Sequence, residues 1–152
     1  MTRTRHVLLA AGGSAALLLA ALGSQYLGGL APCEMCLWQR WPHGAAVAIG
    51  AVALAVSGPA LPLLGAAAAA ATGGIGVYHT GVERDWWQGP SGCSSGDISN
   101  LSTGDLMEQI MTAPLVRCDE VAWEFLSLSM ASWNALLSFA LTGLWIAAAA
   151  RR

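Results

Sequence analysis

Residues 41–82 read WPHGAAVAIGAVALAVSGPALPLLGAAAAAATGGIGVYHTGV, 42 positions without a single Asp, Glu, Lys or Arg. One helix of that length would measure roughly 63 Å. A bilayer core is only about 30 Å thick, so the stretch must hold two spans joined by a turn. Ser57-Gly58-Pro59, with Pro62 close behind, is the natural break, because glycine permits a tight turn and proline ends a helix. The second span is therefore expected near 42–56 and the third near 60–79. The charge-free windows on either side supply one span each, near 7–30 and 126–150. The expected fold is all-α, a four-helix transmembrane bundle. A membrane barrel would also satisfy its backbone, but the Ala, Leu and Gly content favours helices. Gly12-Gly13, Gly73-Gly74 and the Ala66–Ala71 run offer smooth surfaces for close helix packing.

The remaining composition agrees. Of 152 residues, 55% are hydrophobic and 11% charged, against about 25% charged in a soluble domain. Ordinary cytosolic enzymes, nucleic-acid binders and disordered tails are excluded. The net charge of −2 matters less than where the charges lie. Arg3 and Arg5 precede the first span and Arg151-Arg152 follow the last, so the positive-inside rule puts both termini in the cytoplasm. Eight of the nine acidic residues fall between 83 and 124. Two loops, near 31–41 and 80–125, then face outward. In the second, Asp105–Thr112 puts Leu106, Met107, Ile110 and Met111 on one face, which predicts a short helix lying on the membrane. No separate soluble domain is expected. Arg3-Thr4-Arg5-His6 and Ala21-Leu22-Gly23 also suit a cleavable secretory signal. The apolar run continues to Leu30, longer than a signal core, and favours a retained helix.

All four cysteines lie in the outward loops. Cys33-Glu34-Met35-Cys36 sits in the first, Cys93 and Cys118 in the second. An even count in an oxidising compartment points to disulfides. A bridge between Cys93 and Cys118 would close a long polar loop, as an ordinary structural staple does. A bridge within Cys33–Cys36 constrains the unfolded chain little, so redox chemistry explains that pair better. A zinc site built from both pairs is the alternative, although the spacing is unlike that of zinc fingers.

The run Cys36-Leu37-Trp38-Gln39-Arg40-Trp41-Pro42-His43 adds a cation. Arg40 stands alone at the junction of the first two spans. Flanked by Trp38 and Trp41, it suits an interfacial anchor. If Leu37–Arg40 begins the second helix, Arg40 lies four residues after Cys36 and shares a face with that sulfur. There it would favour the Cys36 thiolate and could hold a carbonyl oxygen of a lipid-soluble acceptor.

Cys33-x-x-Cys36-x-x-Gln39-Arg40, four spans and a second cysteine pair in the last outer loop resemble the DsbB family of bacterial inner-membrane disulfide oxidases. Tyr78-His79-Thr80 and Trp123-Glu124-Phe125-Leu126 extend the likeness over nearly the whole chain. The resemblance implies a relay already known to keep the periplasm oxidising. A reduced DsbA-like thiol oxidase would attack the Cys93–Cys118 disulfide, at Cys93, and electrons would pass to Cys33–Cys36. Cys36 would then hand them to a membrane quinone, ubiquinone or menaquinone, positioned by Arg40. His79 matches a family histidine near the quinone end, with capping of the third span as the competing reading. Gln39 occupies a position that family members also fill with Glu, and His43 reads as interfacial. No metal is expected at these residues.

A DsbA-type partner lies near −120 mV, whereas ordinary structural disulfides lie below about −300 mV. The outer pair must therefore be unusually oxidising or be drawn forward by the quinone. The loop is expected to swing Cys118 or Cys93 toward Cys33, with Gly92, Gly96 and Gly104 allowing the motion. Two other readings stand beside this one. The first is a thiol reductase resembling vitamin K epoxide reductase, with electrons flowing the other way. The second is a non-catalytic membrane protein with structural disulfides or a metal site.

Overall fold

Four long helices form among the residues described by the computed structural model, which are 2–90, 93, 102, 104, 107–108, 111 and 116–151. They are α1 (Arg3–Tyr26), α2 (Glu34–Ala55), α3 (Ala60–Glu83) and α4 (Met130–Ala149). A two-stranded antiparallel ribbon, β1 (Glu124–Phe125) and β2 (Leu128–Ser129), precedes α4. Each helix packs on its neighbours in chain order, and α1 closes the ring against α4. The short interfacial helix expected over 105–112 falls mostly outside the described residues. Of that segment Met107, Glu108 and Met111 are described, all helical and exposed.

Each helix boundary departs from its expected place for a local reason. The Thr2 hydroxyl accepts the Arg5 N–H and starts α1 at Arg3. Its end comes at Tyr26 rather than Leu30, because Leu27 and Gly28 both donate back to the Gly23 carbonyl. Gly29, at φ +69°, then turns the chain out in the left-handed region that glycine adopts without penalty. Helix α2 begins at Glu34, not at Pro42. The Cys33 sulfur caps it by accepting the Cys36 N–H at 3.2 Å, and Glu34 places negative charge at the positive end of the helix dipole. Pro42 therefore sits inside the helix, where membrane helices tolerate it.

The Ser57-Gly58-Pro59 turn is where the charge-free run divides, with Gly58 at φ +119°. Arg3 reaches across from α1 and donates to the carbonyls of Val56 at 2.9 Å and Gly58 at 3.3 Å. A cation thereby meets the negative end of α2. Helix α3 continues one turn beyond His79 to Glu83. Helix α4 starts at Met130 rather than near 126, because Leu126 (φ 53°) and Ser127 (φ 60°) make a left-handed hairpin turn first. Ser129 then caps α4 by accepting the Ser132 N–H.

Helices α1, α3 and α4 are long and apolar enough to cross a membrane. Helix α2 is 22 residues long, but its first turns carry Glu34, Gln39, Arg40 and His43. Leu8, Leu19, Leu64, Leu136, Phe139 and Ile146 lie exposed on the outer faces of the bundle. So much exposed aliphatic surface is what a lipid-facing protein requires and a soluble one avoids. Small residues line the inside. Val7, Ala10, Ala53, Ala66, Ala69, Leu141 and Ala148 close around the fully buried Trp145. Gly65 lies flat against that indole: a Cβ there would stand 2.6 Å from the ring.

Gly65→Ala is therefore expected to destabilise the bundle by about 1–3 kcal/mol through overpacking. At Gly74 a Cβ meets nothing within 4 Å, so Gly74→Ala should be neutral or stabilising by about 0.5–1 kcal/mol. Thermal unfolding in detergent micelles compares the two, and equal effects would refute this packing.

Candidate active site

The site forms where the cap of α2, the last turns of α3 and the second loop converge. Capping holds Cys33 at the mouth of α2 and puts Cys36 one turn in, with the two sulfurs 2.8 Å apart and unbridged. Cys33 is buried and Cys36 half-buried. Cys93 and Cys118 are disulfide-bonded, and both are buried. Their backbones are tied directly, Cys118 N–H to the Cys93 carbonyl at 2.6 Å, and Cys93 N–H meets the Pro90 carbonyl at 2.8 Å. The bridge packs with Cys33, Met35 and Val82 in one apolar cluster, against Cys36 and Val116. Beside it, Arg117 pairs with Asp119 at 2.7 Å and Glu120 at 3.4 Å. The guanidinium holds the Asp119 carboxyl below its usual range.

The loop does not have to swing to bring the pairs together. Cys33 Sγ, Cys118 Sγ and a His79 ring nitrogen all lie within 4.8 Å of one another. That trio has the donor types of a metal site, but the Cys118 sulfur is bonded to Cys93 and offers no thiolate. Thiol–disulfide exchange requires two sulfurs to meet, and here they nearly do. The Cys33 thiol is held well above its ordinary range, chiefly because its S–H donates to Cys36 and also because it is buried.

Helix periodicity brings His79 and Glu83 to the same face of α3, pointing at α2 and α4. His79 Nε2 lies 3.6 Å from Cys33 Sγ and 3.8 Å from Glu83 Oε1. His79 is thus buried beside the sulfur instead of capping the end of α3. Glu83 accepts a hydrogen bond from the Ser129 hydroxyl at the start of α4. The other ring nitrogen, Nδ1, lies 3.0 Å from Gln39 Nε2. Gln39 Oε1 takes a hydrogen bond from Asn134 Nδ2 at 2.7 Å, and Asn134 Oδ1 meets His43 Nε2 at 2.8 Å. Thr72 contributes its hydroxyl and carbonyl to the same network. His43 is accordingly buried in the bundle.

Arg40 does not reach for the membrane surface. Its guanidinium donates to Gln25 Oε1 at 2.6 Å and to the Ala21 carbonyl at 3.4 Å, both on α1. Its Nε is buried and has no partner among the described residues. Cys36, Arg40 and His79 line one cavity of about 350 Å³, whose walls include Leu17, Ala21 and Trp133. Exposed aromatics ring this end of the bundle, among them Trp41, Tyr78, Trp86, Trp87, Trp123 and Phe125. Such a belt marks a membrane–water boundary.

Asn134, Thr72 and Glu83 were not singled out in the sequence, although a signal existed. Asn134 and Thr72 are polar residues inside otherwise apolar spans, where an unpartnered side chain is costly.

Among known proteins, the family model for disulfide bond formation protein DsbB matches residues 3–148. A disulfide bond formation protein B from Methylococcus capsulatus is 34% identical over 128 residues, which are 78% of this chain and 77% of that protein. One from Verminephrobacter eiseniae is 32% identical over 146 residues, 88% of this chain and 77% of the relative. A third, from a Polaromonas species, is 28% identical over 143 residues, 85% and 81% of the two chains. No solved structure matches the chain.

With Cys33 kept protonated and buried, the two thiols should differ sharply in reactivity, since only thiolate alkylates readily. Brief treatment of the reduced protein with iodoacetamide at neutral pH is expected to modify Cys36 before Cys33, as read by fragment-ion mass spectrometry. Labelling of Cys33 first, or of both equally, would contradict the donor role given to its S–H.

Proposed function

The chain belongs to the DsbB family of disulfide bond formation proteins, and from that premise we propose that it is a quinone-reducing protein disulfide oxidase. In this reading it lies in the bacterial inner membrane, with both termini cytoplasmic and the two cysteine loops in the periplasm. Its partner is a DsbA-like thiol oxidase, which it returns to the disulfide form. The observation that carries the reading is the serial placement of the two pairs. Cys93–Cys118 belongs to the outer loop, Cys118 Sγ lies within 4.8 Å of Cys33 Sγ, and Cys36 opens on an apolar cavity shared with Arg40.

The exchange steps follow from that order. A thiolate of the partner attacks Cys93 Sγ, breaking the Cys93–Cys118 bond and leaving the electron pair on Cys118. The partner's second thiol closes its own disulfide and releases Cys93. Cys118 then attacks Cys33 Sγ of a Cys33–Cys36 disulfide, forming Cys33–Cys118 and leaving the pair on Cys36. Attack of Cys93 on Cys118 restores the outer bridge and leaves a second sulfur, Cys33, reduced.

A quinone suits the cavity. Its walls are mainly apolar, and Arg40, which lines it, keeps a buried Nε without a partner among the described residues. Arg40 would hold a quinone carbonyl, and His79 lines the same cavity. When bound, a quinone supplies a two-electron acceptor within the lipid phase. Arg40 contributes a fixed positive charge beside Cys36, and its hydrogen bonds to Gln25 and Ala21 keep that charge in place.

In detergent, with a reduced DsbA-like protein and quinone, Cys36→Ser and Cys93→Ser should each abolish quinone reduction. Full activity in either variant would sink the relay. Arg40→Gln should raise the quinone concentration needed for half-maximal rate about tenfold, the effect of one lost charged hydrogen bond. Disulfide exchange between partner and loop should continue, and an unchanged quinone dependence would refute the role of Arg40.

A further inference from the structure

The buried amides of this bundle can be oriented from two backbone carbonyls, which can only accept hydrogen bonds. The Gln39 amide lies 3.2 Å from the Met35 carbonyl. Its Nε2 must occupy that edge, so its Oε1 is turned toward Asn134. The Asn134 amide lies 3.3 Å from the Thr72 carbonyl, which fixes Nδ2 there and turns Oδ1 toward His43. Each remaining contact then has one possible direction. His43 Nε2 donates to Asn134, Asn134 donates to Gln39, and Gln39 donates to His79 Nδ1 at 3.0 Å. The unprotonated His43 Nδ1 that results is the buried ring atom without a partner among the described residues.

A neutral imidazole that accepts at Nδ1 carries its hydrogen on Nε2. His79 Nε2 faces only acceptors, Cys33 Sγ at 3.6 Å and Glu83 Oε1 at 3.8 Å. Hence in the run His43, Asn134, Gln39, His79 each residue donates to the next, and the last donates toward Cys33.

We propose that Gln39 and Asn134 are positioning residues that lock His79 in its Nε2–H form and so aim a hydrogen-bond donor at the Cys33 sulfur. This rests on the relay described above. When Cys93 attacks Cys118, the Cys93–Cys118 bond forms, the Cys33–Cys118 bond breaks and the electron pair stays on Cys33 Sγ. The His79 N–H steadies that charge and keeps its own proton. Hydrogen bonds to an ionised group are stronger than neutral ones, and the opposite tautomer would set a lone pair against the sulfur. Amides serve this purpose because they do not titrate, whereas a carboxylate at position 39 would accept from Nδ1 and reverse the ring.

The test is nitrogen NMR of the full-length protein, labelled with 15N-histidine in detergent micelles, with the His79 signals assigned through His79→Asn. A single Nε2–H form is expected for His79. Gln39→Leu and Asn134→Leu should each convert it to a mixture of both forms. Both should also slow the decay of a trapped Cys33–Cys118 bond about twofold, the share of the Nε2–H form lost in an even mixture. Gln39→Glu should move the proton to Nδ1. An Nδ1–H form or an average of both in the unmodified protein overturns the proposal, and that spectrum decides even if the variants do not fold. An unaltered tautomer and exchange rate in Gln39→Leu overturns it as well. Because the tautomer is read without turnover, absence of exchange in the unmodified protein would count against the relay and not against the ring assignment.

Discussion

Lipid offers no hydrogen bonds, so every polar group inside this bundle must be satisfied by another protein group or by a ligand. That requirement organises the molecule. Asn134, Thr72, Gln39, His43 and His79 come from three different helices and share one set of hydrogen bonds. The network draws α2, α3 and α4 together at the depth where His79 meets Cys33. Arg3 and Arg40 follow the same rule. Arg3 finds carbonyl oxygens in the turn after α2, Arg40 finds an amide and a carbonyl oxygen on α1, and each thereby fixes the relative height of α1 and α2.

The two ends of the bundle are built differently. Around Trp145, alanines and glycines allow close backbone approach, and Arg3 adds hydrogen bonds to the turn after α2. Around the cysteines, a cavity is left open and lined with polar groups that have spare capacity, of which Arg40 Nε is the clearest. A packed end resists deformation, and that rigidity supports an open end whose chemistry needs a vacant volume next to Cys36.

How far the fold was legible depended on the kind of signal. Charge-free length was a good guide to helix number, and Ser57-Gly58-Pro59 marked the turn correctly because glycine and proline act locally. Helix ends were harder. Pro42 suggested a beginning to α2, but a cysteine sulfur capped the helix further upstream, a role that a Cys-x-x-Cys motif does not advertise. Leu126 and Ser127 are unremarkable in sequence, yet both adopt left-handed backbone and delay α4. In the site, the cysteines, Arg40 and His79 were visible as residue types in a spacing. The Gln39–Asn134 link was not, because the two positions are 95 residues apart and the motif that holds Gln39 does not reach Asn134.

By itself, then, the sequence determined that the chain is a helical membrane protein with two cysteine pairs outside its spans. Hydrophobic length, charge position and cysteine spacing are local quantities, and they survive without knowledge of the fold. Only the tertiary structure decided that Cys118 already stands beside Cys33, that His79 faces the sulfur and not solvent, and that Arg40 leans on α1. Those outcomes come from pairing polar groups across helices in a medium that cannot substitute for them. Such pairings join positions as distant as Gln39 and Asn134, and nothing in the local sequence specifies which partner each will find.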